Sequence, residues 1–550
     1  MALSVVELPE LLEAIASHLD SPDLISAACV CKTWSSVFTA RIWSTIHVHH
    51  LSNPKFQERL PQNGHLMRSL MIVGAVNWPP LLEHCRLMEA LDMTSTSLDI
   101  HVLEDIVQRF PRLRRLTLNG CLGQTLAWLQ ILQELEHLEC LKFIDCGLEV
   151  IEDIVEVEGE LSESEEQEQS DSEEDDDQDD SEYQYDPSDP FDDSYEQEML
   201  PFDYLGDFLV ARARTLTELS LRGSSLRGFK LWDDSSLQPT TLPVIALKRL
   251  SLAATSARIC DVAVLLKQST ELEELDLSEN FEPSWNNFPW RILGHTTKLA
   301  KLDLSQLCVD NDQLAQVLRD CKGIRSLIAS QSNIQDVVLD TIVRMNALGD
   351  QRLEELDISW CPEISEARVA RVLGVATLKS LKLSWCAKVE STIFGVPWAC
   401  AQLEILEAQG LDSPKKKQRR IGYTENEHGR VEAEDKGDEE EEGPEEYDRI
   451  MFARLSSLTE LRRLAVGSST TIVSSSHGFG LLSSRLGKLQ QLILVGDDVY
   501  PMGLEELRLV AQFPRLSSFE FSLGLVDGAG QTALAGMRPS LRQQEQEIYF

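Results

Sequence analysis

Most of this 550-residue chain is organised by one recurring spacing of apolar residues, Leu-x-x-Leu-x-Leu. The clearest frames start at Met88, Leu113, Leu138, Leu216, Leu247, Leu272, Leu299, Ile324, Leu353, Leu378, Leu403, Leu461, Leu489 and Leu516. Successive frames mostly start 25 to 31 residues apart, with longer steps of 78 residues after Leu138 and 58 after Leu403. Because a steady period of about 20 to 50 residues is the mark of stacked repeats, the chain should form one long array rather than several globular domains.

Each frame predicts one coil of that array. Its second and third apolar residues are two positions apart, so they point to the same side of a short strand. The stretch between frames is long enough for a helix on the other side, as in residues 363–373. No coil can bury its apolar face alone, so stacking must hold the array together. The pattern resembles the leucine-rich-repeat family, which implies an α/β solenoid over residues 47–540 with parallel strands on the concave face and helices on the convex face.

A small polar or thiol residue follows many frames, eight positions after the frame start. The examples are Cys121, Cys146, Asn280, Cys361 and Cys386. In the leucine-rich-repeat family this position hydrogen-bonds neighbouring turns, and the same role is expected here. The twelve cysteines form no Cys-x-x-Cys pair and follow no secretory signal, so reduced thiols are expected.

A compact helical unit is predicted before the repeats. Leu8, Leu12, Ile15 and Leu19 fall on one helical stripe, and Ser21 is a suitable N-cap for a second helix. Leu8-Pro9-Glu10-Leu11-Leu12, Ser21-Pro22-Asp23-Leu24 and Val30-Cys31-Lys32-Thr33-Trp34 resemble an F-box, so residues 1–46 are assigned to a small all-α F-box. The resemblance implies that the Skp adaptor covers Leu8, Pro9, Leu12, Ile15, Leu19, Leu24, Val30 and Trp34. The stripe alone also fits the core of a cap on the repeats.

The formal net charge of -41 is concentrated in two inserts. Residues 152–198 contain 24 carboxylates and no Lys or Arg, and residues 412–448 contain 14 acids and 7 bases. With so few apolar residues, the segments 151–198 and 412–448 are predicted to be disordered. The second opens with a basic run at residues 415–420 that resembles a nuclear-import signal.

Candidate binding residues lie at strand positions beside the buried Leu residues, because solenoids usually bind partners on the concave face. Several of these positions are charged, and Trp360 and Trp385 share a position one coil apart. The substrate-binding candidates are Asp276, Asp303, Asp357, Lys382, Trp360, Trp385 and Arg222. Ordinary solvated strand faces with a partly buried Trp pair fit the same residues.

Catalytic motifs are missing from the sequence. It contains no P-loop, dinucleotide fingerprint, His-Glu-x-x-His or Gly-x-Ser-x-Gly. In the His47/His49/His50 cluster, His47 and His49 could share a strand face, but a third metal ligand at suitable spacing is missing. We therefore expect no enzyme activity, cofactor or metal. The acidity and the lack of an apolar run of about 18 residues indicate no nucleic acid and no membrane as partners. A cytoplasmic and/or nuclear location is expected.

These features predict a substrate-recognition subunit of a Skp–cullin–F-box ubiquitin ligase. The F-box would hold the Skp adaptor, and through it a cullin, while the repeats hold an unknown protein substrate; the chain would be monomeric within the complex. An acidic leucine-rich-repeat chaperone or scaffold for basic nuclear proteins is the alternative, favoured by the two acidic runs. A third possibility is a GTPase-activating solenoid that uses an exposed arginine such as Arg222.

Overall fold

The structure is a computed structural model. It describes residues 9–48, 54–74, 83–96, 98–121, 127–146, 204–224, 243–255, 257–281, 285, 287–349, 352–411, 423–425, 431–433, 444–467, 476–495, 504–522 and 542–546.

Three helices form the N-terminal unit: α1 (Pro9–Ala16), α2 (Ser21–Ala28) and α3 (Lys32–Ser44). They share a small apolar core of their own, separate from the core of the repeats. The predicted N-cap is displaced by one residue, because Asp20 caps α2 by accepting the backbone N–H of Asp23 at 3.0 Å. Ser21 is instead the first residue of the helix, where Pro22 follows it.

In the described residues, the repeats form one parallel sheet of 17 strands. Its strands are β1 (Thr45–Val48), β2 (Ser69–Val73), β3 (Ala90–Thr94), β4 (Arg115–Asn119), β5 (Cys140–Ile144), β6 (Glu218–Ser220), β7 (Arg249–Ser251), β8 (Glu274–Asp276), β9 (Lys301–Asp303), β10 (Ser326–Ile328), β11 (Glu355–Asp357), β12 (Ser380–Lys382), β13 (Ile405–Ala408), β16 (Arg463–Gly467), β17 (Gln491–Val495), β18 (Ser518–Ser522) and β19 (Arg542–Gln546). Each strand pairs with the next in the same register, so equivalent positions of successive frames form straight rows across the sheet. The predicted α/β solenoid is confirmed.

Helices occupy many of the stretches between strands. They are α4 (Pro54–Asn63), α5 (Ile100–Arg109), α6 (Ala127–Leu132), α7 (Tyr204–Ala211), α8 (Ile259–Gln268), α9 (Asn311–Asp320), α10 (Asp336–Ala347), α11 (Glu366–Val375), α12 (Pro444–Ser457), α13 (Ser476–Arg485) and α14 (Leu504–Val510). Shorter 3₁₀ turns stand at Gly64–Leu66, Trp290–His295 and Ser391–Gly395. Helices this short are marginal alone, so they depend on packing against the sheet.

The frame residues form the core of the solenoid, as predicted. One continuous cluster of buried apolar side chains extends from Leu60 to Phe521, and Leu113, Leu116 and Leu118 are typical members with no exposed surface. Each such side chain contributes about 1.5 to 3 kcal/mol of gross hydrophobic stabilisation. Since neighbouring coils share this cluster, no coil is stable without the next one.

The hydrogen bonding predicted for the position eight residues after the frame start, called the polar ladder below, is confirmed. The Sγ atoms of Cys361 and Cys386 each donate to a carbonyl of the preceding coil at 3.1 Å, and Cys146 does so at 3.2 Å. Asn280 makes the corresponding contact through Nδ2, which lies 2.8 Å from the carbonyl oxygen of Leu252. No disulfide joins any of the twelve cysteines, all of which lie in the described residues.

The sheet is continuous across the positions of both predicted inserts. Strand β5 pairs directly with β6, and β13 pairs directly with β16. Residues 151–198 and the basic run at 415–420 lie outside the described residues. Within 412–448 the structure describes a two-stranded antiparallel pair, β14 (Tyr423–Glu425) with β15 (Val431–Ala433), and α12 already begins at Pro444.

The sheet also exceeds the predicted limits of the solenoid. It begins at Thr45, directly after α3, and its last strand ends at Gln546, whereas the frames predicted 47–540. Strand β1 pairs with β2, and the ring of Trp43 in α3 stacks on Phe56 of α4 with centroids 5.6 Å apart. The N-terminal unit is therefore joined to the first coils without a linker.

Candidate functional site

Packing of α1, α2 and α3 divides the predicted adaptor-binding residues into two groups. Leu12 is fully buried and Leu24 is 8% exposed, and both belong to the small core together with Phe38. Leu19 and Trp34 are partly buried against the same core. Leu12 and Leu24 therefore support the unit from inside, which matches the reading of the stripe as a structural core.

The remaining predicted residues lie at the surface. Ile15 is 42% exposed, Val30 is 62% exposed, and Pro9 is exposed at the first position of α1. Leu8 lies outside the described residues. Two exposed residues were not among the sequence candidates: Leu11, one turn before Ile15 in α1, and Ile25 in α2, which are 41% and 56% exposed.

The concentration of exposed apolar side chains on this unit is unusual for the chain. Within the described ranges, twelve large apolar side chains are exposed, and four of them lie between Leu11 and Val30. Single exposed apolar residues are ordinary, whereas a concentration of them marks a surface that another molecule covers. These four residues, Leu11, Ile15, Ile25 and Val30, are called the apolar surface below.

The aspartates on the concave face are held by serines of the same coil. Asp276 Oδ1 accepts the backbone N–H and the hydroxyl of Ser278 at 3.1 and 2.7 Å, and Asp303 makes the same pair of contacts with Ser305 at 3.0 and 2.7 Å. Burial raises the pKa of Asp303, and the charge of Asp276 adds to that effect, while the hydrogen bonds from Ser305 oppose it. The two carboxylates are thus fixed in orientation on neighbouring strands.

An ion triad centred on the largely buried Glu218 carboxylate, with Lys142 and Arg249 partly exposed, lies beside these aspartates. Glu218 Oε1 is 2.5 Å from Lys142 Nζ, and its Oε2 accepts from the Arg249 guanidinium. Burial alone would raise the pKa of Glu218, but the hydrogen bonds and charges of Arg249 and Lys142 outweigh it and lower this pKa to about 2. Together these groups and the aspartates line a depression of about 220 Å³.

The other predicted charges sit in ion pairs. Lys382 Nζ is 3.6 Å from Asp357 Oδ2, and Asp357 also accepts from the backbone of Ser359 at 3.1 Å. Arg222 Nη2 is 2.6 Å from Glu279 Oε1, and 45% of the Arg222 side chain is exposed. Because this guanidinium is already paired, the structure offers no support for its use as a catalytic arginine.

Backbone conformation reveals a second row that the sequence did not indicate. In twelve successive coils, from a weaker frame that starts at Met67 to the frame at Leu403, the residue seven positions after the frame start is left-handed, with φ between +49° and +84°. These residues are Gly74, Ser95, Gly120, Asp145, Gly223, Ala254, Glu279, Gln306, Gln331, Trp360, Trp385 and Gly410. A bulky residue in this conformation is a genuine outlier, and each costs about 1 to 3 kcal/mol.

Trp360 and Trp385 are the bulkiest members of this row. Their rings stack with centroids 5.2 Å apart and planes inclined by 21°. The Trp385 ring is the inner one of the stack and lies against Gly410, where a Cβ would overlap it. Trp360, 48% exposed, forms the outer surface of the stack. The predicted Trp pair is therefore a real feature with one face open to solvent.

The N-terminal unit also matches a known family. Residues 9–49 match the family described as F-box-like. The chain joins an F-box-like domain to a leucine-rich-repeat solenoid. The family match covers the F-box-like domain, and the in-register strands with their buried Leu frames define the repeats.

The matches among solved structures include two proteins of low sequence identity. A leucine-rich-repeat protein of Leptospira interrogans is 13% identical, with 91% of this chain and 99% of that chain covered and a TM-score of 0.37. TLR13 in its complex with ssRNA13 is 14% identical, with 91% of this chain and 63% of that chain covered and a TM-score of 0.43. A comparison with curated proteins found no match.

In the described ranges, no helix has the length and apolar character needed to cross a membrane. Among the same residues, no group of three or more His, Cys, Asp or Glu side chains is placed to hold a metal ion. His49 and His50 lie outside the described residues.

Proposed function

We propose that this chain is a substrate-recognition subunit of a Skp–cullin–F-box ubiquitin ligase. In this role the F-box-like domain binds the Skp adaptor, and through it a cullin, while the repeats bind a protein substrate. The observation that carries the proposal is the apolar surface, because its four residues lie on a domain whose own core is already filled by Leu12, Leu24 and Phe38. Apolar groups left over in this way are the usual anchors of a protein interface.

The experiment that tests the adaptor interaction changes the surface without touching the core. The double variant Ile15→Asp and Val30→Asp should lose the Skp adaptor on co-purification. Each substitution removes about 2 kcal/mol of apolar burial, which corresponds to a roughly thirtyfold weaker interaction. Leu12→Asp would be uninformative, because a carboxylate at that buried position would unfold the domain.

A matched control is available at the end of α11. Val375, at 38% exposure, is far along the chain from the F-box-like domain, so Val375→Asp should leave adaptor binding unchanged. Circular dichroism of each variant checks that the helices are retained. Undiminished adaptor binding by the Ile15/Val30 variant would refute the assignment.

The charged inserts distinguish the alternative function. If the chain were an acidic chaperone or scaffold for basic nuclear proteins, deletion of residues 152–198 would abolish partner binding. A substrate receptor should keep its adaptor and its substrate after the same deletion. A reporter fused to residues 412–448, with and without Lys415 to Lys417 replaced by Ala, tests the proposed nuclear location.

A further inference from the structure

A groove of about 520 Å³ runs beside the exposed Trp360 ring, at the end of strands β9, β10 and β11. Its lining includes Gln306, Gln331, Asn333, Trp360 and Pro362. Its volume is within the range of about 300 to 1,000 Å³ that is typical of ligand pockets. The groove is separate from the apolar surface of the F-box-like domain.

The lining of the groove has a distinct chemistry. It contains no charged side chain, although the chain as a whole carries a net charge of -41. In the part of the chain that the structure describes, no hydrogen-bond partner is found for the side-chain amides of Gln306 and Gln331 or for the Trp360 indole N–H. These groups offer donors and acceptors beside an exposed aromatic face. Such a lining favours an uncharged ligand with an apolar ring and free carbonyl groups.

The spacing of these side chains is fixed by the sheet. Each backbone N–H of Gln306, Gln331 and Trp360 donates to a carbonyl of the next coil at 2.8 Å, so the row keeps the separation of the strands. Adjacent strands lie about 4.8 Å apart, which places Gln306 and Trp360 about 9.6 Å apart along the row. One turn of a polyproline II helix, three residues, rises about 9.3 Å. Its residues i and i+3 would therefore fall opposite Trp360 and Gln306.

We propose that this groove binds an uncharged Pro-x-x-Pro segment of the substrate in the polyproline II conformation. One proline ring stacks on Trp360, and the amides of Gln331 and Gln306 bond the carbonyls of the peptide, which have no partners within such a helix. The inference rests on the proposed role of the repeats as substrate receptor and names the kind of segment they recognise.

A labelled peptide tests the inference directly. The probe is a blocked, dye-labelled Ala-Pro-Ala-Ala-Pro-Ala peptide, titrated with the full-length chain and followed by fluorescence anisotropy. Trp360→Gly removes the ring at a position where other coils carry glycine, so the backbone can keep its conformation. It should weaken binding by a factor of about 30, as expected for an aromatic anchor. Gln331→Ala should weaken it by a smaller factor of roughly 3 to 10.

Controls separate binding from folding. Phe281, 71% exposed and outside the groove, supplies the matched variant Phe281→Ala, which should bind the peptide as the parent does. A peptide with both prolines replaced by alanine should not bind. Equal binding by the Trp360→Gly chain, or by the alanine peptide, would overturn the inference. Binding of the neutral sugar chitotetraose in a Trp360-dependent manner, without peptide binding, would also overturn it and assign the groove to carbohydrate.

The result is distinguishable from a failure of the proposed ligase role. If the adaptor binds through Ile15 and Val30 but the peptide does not bind, the inference about the groove is wrong and the receptor role stands. If the peptide binds in a Trp360-dependent way but the adaptor does not, the groove is supported and the ligase assignment is wrong.

Discussion

Replacement of Asn280 by alanine should uncouple two neighbouring coils. Its Nδ2 donates to the carbonyl oxygens of Leu252 and Leu277 at 2.8 and 2.9 Å, and its Oδ1 accepts the backbone N–H of Thr255 at 3.1 Å. Asn280 is 3% exposed and Thr255 is fully buried. One side chain thus satisfies backbone groups of two successive coils without access to water.

The magnitude follows from the groups that lose their partner. The Leu252 carbonyl keeps a second hydrogen bond, from Thr255 Oγ1 at 2.8 Å, so it remains satisfied. The N–H of Thr255 and the carbonyl of Leu277 would have no partner among the described residues, and each buried unsatisfied group costs about 1 to 3 kcal/mol. We expect a loss of about 4 kcal/mol at this coil interface. That corresponds to roughly a thousandfold increase in local opening.

Native-state hydrogen exchange measures this effect locally. Peptides that cover residues 249–280 should exchange much faster in the Asn280→Ala chain, whereas those covering 378–411 should be little changed, because coils in a solenoid contact only their neighbours. Phe281→Ala, at the adjacent exposed residue, should stay within about 0.5 kcal/mol of the parent. Asn280→Cys should recover part of the loss, since Cys361 and Cys386 fill the same position. Unchanged exchange in the Asn280→Ala chain would refute the ladder as the coupling device.

Three further perturbations test other parts of the structure. The pKa of Glu218 in the folded chain is about 2 against an ordinary 4.5, so its stabilisation is present above pH 4.5 and is lost as the pH falls towards 2. In the Glu218→Gln chain, the free energy of unfolding measured with denaturant should vary less with pH over that range. Iodoacetamide should label the exposed Cys260 and Cys308 quickly, whereas Cys386 should react slowly as long as the chain is folded, because burial raises its pKa to about 12. Mass spectrometry of the labelled peptides measures these rates. Fast labelling of Cys386 in the folded chain would contradict its ladder role. Gly223→Ala should destabilise by about 1 to 3 kcal/mol more than Gly74→Ala, because both glycines are left-handed but only a Cβ at 223 would crowd Asp145; equal midpoints in urea would contradict this.

The sheet could be predicted from the sequence because its signal is local. In a frame such as Leu113, Leu116 and Leu118, the apolar spacing alone identifies the strand and its buried side, and the longer interval identifies the return stretch. The position of the ladder residues, eight after the frame start, was predicted from the same spacing. The spacing of the frames does not predict which stretches between strands become helices, since Trp290–His295 and Ser391–Gly395 form 3₁₀ turns instead.

The candidate sites were harder to predict because contacts with residues distant in sequence decide which side chains are buried and which stay exposed. Leu12 and Ile15 lie on the same helical stripe, yet the approach of Phe38 from α3 buries one and leaves the other exposed. The left-handed row has no common side chain, since it includes Gly, Ala, Gln and Trp. Its conformation is imposed by the hydrogen bonds between stacked coils, so Gln306 and Gln331 carried no recognisable signal.

Because the sheet is unbroken, the number of residues in this chain does not set the distance between its F-box-like domain and the Trp360 groove. From β1 to β11 there are ten strand spacings, or about 48 Å, between the F-box-like domain and the Trp360 groove. Because β5 still pairs with β6, the insert between these two strands can gain or lose many residues without altering that distance. Loss of one whole coil between them would shorten it by about 4.8 Å. The number of coils between the two sites therefore sets the distance at which a bound substrate would be held from the adaptor.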